Sequence, residues 1–118
     1  MPINLELLCR QVCDLSKQTG NFIRLERHKF NTEKIEVKGK NDFVSYVDKT
    51  SEKMIIEGLE KLLPEAGFIA EEGTSTKKGE HYNWIIDPLD GTTNFIHGLP
   101  CFAISIALMR DQQLIMGV

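Results

Sequence analysis

The chain lacks any apolar run long enough to cross a bilayer as a helix, so no membrane-spanning segment and no membrane partner are expected. Cysteine is scarce. Cys9, Cys13 and Cys101 are odd in number and two of them lie one helical turn apart, which suits neither a disulfide framework nor a zinc site with His. Buried, reduced thiols are expected instead, as in a cytoplasmic protein. Basic charge is in deficit, because 14 Lys and Arg against 17 Asp and Glu leave a net charge of −3. That balance argues against a general nucleic-acid binder, which would show a basic face. No secretory signal is read ahead of the first helical pattern. The loop at residues 73–79 lacks the Gly-Lys-Ser/Thr closure of a P-loop and reads as an exposed, mobile connection. What is present is ordinary globular composition, 42% hydrophobic and 26% charged over 118 residues, enough for one domain with a modest core.

From Asn4 a helical period carries Leu5, Leu8, Val12, Leu15, Thr19 and Phe22 along one face and continues to Ile23, with Gly20 inside it at a cost of about 1 kcal/mol relative to Ala. Residues 27–40 are polar and basic and read as a connecting arm, with Ile35-Glu36-Val37 as the best strand candidate. Lys38 and Lys40 are open between approaching an anionic substrate and being solvated surface lysines. An apolar stretch follows with an acid at each end, Asp42 and Asp48. After Val47 a second helix is expected, with Met54, Ile55, Leu59, Leu62 and Leu63 on one side and Pro64 as its stop. Asp48 then stands where an N-cap would, with Glu52 adding favourable charge to the first turn. Phe68-Ile69-Ala70 reads as a strand leading into Glu71-Glu72-Gly73. Beyond the central motif, residues 96–100 make a short connection with His97 at the surface. Residues 102–109 form a strand with Ile104, Ile106 and Leu108 on one face, and Asp111-Gln112-Gln113 turns the chain into an antiparallel return over residues 114–118.

The central motif is Trp84-Ile85-Ile86-Asp87-Pro88-Leu89-Asp90-Gly91-Thr92-Thr93-Asn94-Phe95. Trp84 to Ile86 read as a buried strand, and Pro88, which fixes its own φ and has no N–H to donate, is expected to stop the sheet there. The turn leaves the Leu89 carbonyl free, flanked by Asp87 and Asp90. Three oxygen donors gathered in one turn suit a hard cation such as Mg²⁺, and two like charges so close would repel without one. Gly91 permits close backbone approach, while Thr92, Thr93 and Asn94 are capping residues. A helix N-terminus, attractive to phosphate, is therefore expected to open here. The competing reading is a turn that only caps a loop, since Asp, Pro and Gly are common turn residues. An EF-hand is excluded, because the acids do not alternate and no Glu closes a twelve-residue loop.

In chain order, Asp48, then Glu71-Glu72, then Asp87-Pro88-Leu89-Asp90-Gly91-Thr92 resemble the metal-dependent, lithium-sensitive phosphomonoesterases. The stretch over residues 84–95 looks most like the inositol monophosphatases. The resemblance reaches upstream to Asp42-Phe43-Val44-Ser45-Tyr46-Val47-Asp48, where Ser45 stands at a position usually held by Thr. It implies an α/β fold, a layered α/β sandwich with a largely antiparallel sheet. Members are roughly twice this length for one domain. Residues 1–118 would then be the N-terminal portion of that domain, without the C-terminal half whose Asp completes a second metal site. The 102–118 hairpin is accordingly expected to leave an open flank beside residues 114–118.

By the same resemblance, Glu71, Asp87 and the Leu89 carbonyl hold a first Mg²⁺. Asp87 bridges to a second ion also bound by Asp90, and Glu71 shares a third, mostly hydrated ion. Asp48, Thr92 and Glu71 form the catalytic set, with Asp48 and Thr92 orienting the attacking water. Leu89, Asp90, Gly91 and Thr92 surround the phosphate, whose oxygens the Gly91 and Thr92 N–H groups hold. Glu72 is open between a ligand and an acceptor behind the ligands. The implied protein is a cytoplasmic homodimer that hydrolyses a small phosphate monoester, inositol monophosphate foremost. A fructose bisphosphatase or bisphosphate nucleotidase would share the same acids, and a non-catalytic interaction module is the rival from another class.

Overall fold

The computed structural model describes the backbone of residues 3–32, 37–75, 77–97, 99 and 101–118, and the side chains of these except 30–32 and 37–42. Two long helices come first, α1 over Leu5–Thr32 and α2 over Val37–Leu62. Four strands and a short helix follow: β1 over Gly67–Ala70, β2 over Tyr82–Asp90, α3 over Thr92–Ile96, β3 over Ala103–Arg110 and β4 over Gln113–Gly117.

Asn4 caps α1, its Oδ1 accepting the Leu7 N–H at 3.1 Å and so satisfying one of the first-turn donors. Of the stripe the helical period predicts, Leu8, Val12, Thr19 and Ile23 are buried and Leu15 and Phe22 half-buried, while Leu5 in the first turn is exposed. The helix runs unbroken through Gly20 and also through residues 27–32, so the connecting arm expected from residue 27 is helical over these residues. Of the strand expected at Ile35-Glu36-Val37, Val37 opens α2 instead, and Ile35 and Glu36 lie outside the described residues. A larger departure concerns Asp48. Because α2 starts at Val37, Asp48 is an interior helix residue and the N-cap reading is wrong. Phe43, Val44 and Val47 look strand-like in isolation. Val44, Val47, Ser51, Ile55 and Leu59, however, recur at three- and four-residue steps and are all buried, one continuous helical stripe.

The strands form one mixed sheet in the order β1-β2-β3-β4, with β1 parallel to β2 and the other two pairs antiparallel. Trp84 and Ile86 of β2 and Ile106 and Leu108 of β3 alternate onto one face, where they pack with Leu8, Val12, Ile55 and Leu59 from the helices. This helix layer on a sheet is the expected α/β layering. Pro88 does not stop β2, which continues to Asp90. The register shifts between Asp87, opposite Ser105, and Asp90, opposite Ala103, so that β2 carries one residue more than β3. A bulge of this kind is where a strand can house a residue with no N–H to donate.

The hairpin turn falls at Asp111 and Gln112 as expected, and β4 returns antiparallel from Gln113. Within the described sheet β4 has one neighbour, and Leu114 is 62% exposed, so the flank there is open. The thiols are less buried than the composition suggested, Cys9 and Cys13 being half-buried and Cys101 exposed. Among the described residues no helix is long and apolar enough to cross a membrane.

Candidate functional site

Parallel pairing of β1 with β2 sets Ala70 opposite Ile86, and the Glu71 N–H donates to the Ile86 carbonyl at 3.3 Å. The next residue along each chain is therefore an acid, Glu71 just past the end of β1 and Asp87 beside it within β2, at the start of the bulge. A side-chain hydrogen bond to Asp87 is the first cause of a raised Glu71 carboxyl. That bond, then burial, then the charges of Asp87, Glu72 and Glu52 push the Glu71 carboxyl up to about 7. Asp87 also accepts the Leu89 N–H at 3.3 Å, fixing the first step of the bulge.

Asp48 approaches the same place from α2. It is 8% exposed, and burial, followed by the charges of Glu72, Glu71, Asp87 and Glu52, raises its carboxyl to about 7. A second apolar cluster, Ile23, Val44, Val47, Leu89 and Phe95, holds these elements together, with Val47 adjacent to Asp48 in sequence and Leu89 two residues from Asp87.

Gly91 sits at φ 89, a left-handed conformation that suits glycine, and a Cβ there would lie 2.8 Å from the Cys101 carbonyl oxygen. Thr92 opens α3 and is half-buried. The helix start was expected, but no side chain caps it. Asn94 serves elsewhere, its Nδ2 donating to the Cys101 carbonyl at 2.6 Å. Phe95 is fully buried, stacked on Phe43 at 6.2 Å and edge-on to Phe102 at 5.5 Å, which pins α3 in place. Asp90 is exposed and lines an open cleft of about 460 Å³ with Gly91, Asn94, Cys101, Phe102 and Ala103.

The arrangement thus pairs Glu71 with Asp87, sets Asp48 where it feels the charges of Glu71, Glu72 and Asp87, and leaves Asp90 at the cleft. Among the described residues no three His, Cys, Asp or Glu side chains form a ready-made metal cage. Mg²⁺ asks for less, commonly one or two carboxylates with water and phosphate oxygens completing its shell. The Glu71–Asp87 pair, all hard oxygen and held together despite like charge, fits that requirement. His97 is exposed as expected. The side chains of Lys38 and Lys40 lie outside the described residues.

Glu52 is the residue the sequence reading misassigned. It is fully buried rather than at a helix start, and its carboxylate accepts the Glu72 N–H at 2.8 Å, the Thr74 N–H at 3.1 Å and the Thr74 hydroxyl at 2.7 Å. The signal that could have found it is spacing: Asp48 and Glu52 stand four apart, on one helix face. Of the loop expected to be exposed and mobile, residue 76 lies outside the described residues, and residues 77–79 are tied down by Lys77 Nζ to the Pro64 carbonyl at 2.7 Å and by Gly79 N–H to Asn83 Oδ1 at 2.9 Å.

Comparison with known proteins bears on this site. The model of the inositol monophosphatase family matches residues 4–118. A protein of Aquifex aeolicus called fructose-1,6-bisphosphatase/inositol-1-monophosphatase is 45% identical over 98 residues, covering 83% of this chain and 37% of that protein. The Nus factor SuhB of Vibrio cholerae is 47% identical over 96 residues, covering 79% and 35%. Among solved structures, the extragenic suppressor protein suhB of Bartonella henselae superposes with a TM-score of 0.77 at 34% identity, over 92% of this chain and 41% of that one. The chain therefore spans well under half the length of the relatives it matches.

Proposed function

The chain belongs to the inositol monophosphatase family, and from that premise we propose that the whole protein is a Mg²⁺-dependent phosphatase of small phosphate monoesters, with inositol monophosphate the foremost substrate. The observation that carries the reading is the pairing of Glu71 with Asp87 by strand register, with Asp48 on α2 feeling the charge of both and two of the carboxyls raised to about 7. A fold that keeps such acids together despite their repulsion is one adapted to a cation.

In this reading Glu71, Asp87 and the Leu89 carbonyl would hold a first Mg²⁺, and Asp87 with Asp90 would hold a second. When bound, the cations supply Lewis acidity toward the phosphate and lower the pKa of water. Asp48 and Thr92 orient the attacking water. The Gly91 and Thr92 N–H groups would donate to phosphate oxygens at the turn that the left-handed Gly91 makes. The protein's own contribution is thus mainly positioning for in-line displacement, and no covalent intermediate is invoked. Cytoplasmic location and a homodimer belong to the same proposal.

The test is phosphate release by the full-length protein from inositol monophosphate, fructose bisphosphate and a nucleoside bisphosphate, with and without Mg²⁺. Mg²⁺-dependent turnover, fastest on inositol monophosphate, is expected. The Vibrio relative's name, Nus factor, favours a second reading as an interaction protein. No release from any of the three at saturating Mg²⁺ would favour that reading and overturn ours.

A further inference from the structure

The fully buried Glu52 carboxylate is not accounted for by the site as described so far. A buried charge is costly unless hydrogen bonds satisfy it. Here three donors do so, all from one short turn after β1: the Glu72 N–H, the Thr74 N–H and the Thr74 hydroxyl. Gly73, between them, has φ 66, which lets the turn curl around the carboxylate. On the other side of that turn the Glu71 N–H is bonded to β2 through the Ile86 carbonyl. The residue that bears the Glu71 side chain is therefore clamped from both sides, by β2 and by α2. Glu52 also lies one helical turn from Asp48, so a single helix face carries both Asp48 and the clamp.

We propose that Glu52 is a positioning residue, which holds Glu71 in register with Asp87 and Asp48 by tying the 71–74 turn to α2. The proposal rests on the phosphatase reading above. A neutral acceptor would anchor a turn without adding charge, whereas Glu52 adds a like charge that acts on both Asp48 and Glu71. Only a carboxylate presents two acceptor oxygens to three converging donors. In Glu52→Gln the amide nitrogen would face an N–H or a hydroxyl, so at least one of the three bonds is lost.

The experiment uses the full-length chain as wild type, Glu52→Gln, Thr74→Val and Thr74→Ser. Thr74 is exposed and belongs to no ligand set, so its replacement removes one bond to Glu52 without threatening the core. Mg²⁺ or Mn²⁺ affinity is measured by calorimetric titration, amide exchange is followed at Glu72 and Thr74, and the unfolding midpoint is recorded. Glu52→Gln should weaken cation binding about tenfold or more, the usual size of effect for groups that orient ligands. Thr74→Val should weaken it less at an unchanged midpoint, and Thr74→Ser should retain wild-type affinity. Exchange at Glu72 and Thr74 should quicken in the first two. Unchanged affinity in both Glu52→Gln and Thr74→Val, against a wild type that binds the cation, overturns the positioning role alone. A wild type that binds neither cation overturns the phosphatase reading and the role built on it. Unchanged exchange in Glu52→Gln removes the clamp itself, whatever the cation result.

Discussion

Raising the pH from 5 to 8 without divalent cations should destabilise the fold, and Asp48 sets the size of the effect. Its carboxyl moves from an ordinary 3.8 to about 7 in the folded chain, chiefly through burial. A raised carboxyl means that the native state holds a proton the unfolded chain has already released, so stability is greatest at low pH and is lost as pH rises through about 7. At about 1.4 kcal/mol per pH unit, the two units between pH 5 and about 7 bound the loss at about 3 kcal/mol. Water reaches the cluster from the side of the exposed Glu71, so about 2 kcal/mol is the expected figure. Glu71 works in the same direction, but its exposure leaves it a minor contributor. For a chain of this length, about 2 kcal/mol lowers the melting temperature by roughly 8 °C. Trp84 is the sole tryptophan and fully buried, so its fluorescence reports the transition. Wild type and Asp48→Asn should be melted at several pH values across this range, with and without Mg²⁺. The neutral variant should lose most of the slope, and Mg²⁺ at a hundred times its dissociation constant should restore about 2.7 kcal/mol at pH 8. A wild-type stability that rises between pH 5 and 8, or an equal slope in Asp48→Asn, would refute the reasoning.

Other outcomes follow from the same geometry. Asp87→Asn should abolish Mg²⁺-dependent phosphate release by the full-length protein, because it removes charge from two cations at once; activity surviving at saturating Mg²⁺ counts against a shared ligand. Thr92→Ala should lower kcat by about 100-fold or more with little change in KM, and a raised KM with an intact kcat would make Thr92 a binding residue instead. Gly91→Ala should cost about 2 kcal/mol or more in a denaturant titration, from its φ of 89 and the Cys101 carbonyl 2.8 Å from the new Cβ. A Gly91→Ala protein as stable as wild type would show that this turn can relax.

How far the sequence speaks depends on whether a residue's surroundings are local. Most of the α1 stripe, the 103–117 hairpin and the position of Glu71 just past β1 follow from period and turn chemistry alone. The start of α2 does not, because Phe43, Val44 and Val47 form an apolar patch that suits a strand until Ser51, Ile55 and Leu59 extend it at helical steps. Pro88 misleads for a related reason. Its effect on a strand depends on whether the partner can absorb an extra residue, and β3 does so between Ser105 and Ala103. Glu52 was the hardest to read, since its bonds are to Glu72 and Thr74, contacts that exist only once α2 has packed beside β1.

The placement of the acids explains why proton and cation should be alternatives at this site. Glu71 and Asp87 are adjacent by strand register, and Asp48 is carried in by the buried stripe of α2, so the backbones that bear them are held together by pairing and core contacts. The repulsion is therefore built into the backbone arrangement, and the exposed Glu71 is the side chain with room to move. Two agents can neutralise it: a proton, as in the bond between Glu71 and Asp87, or a bound cation, which needs those carboxylates ionised. Acidity that stabilises the fold must then compete with the metal that the proposed chemistry requires. The raised carboxyls place that competition near pH 7, where a small shift in either concentration changes which of the two holds the site together.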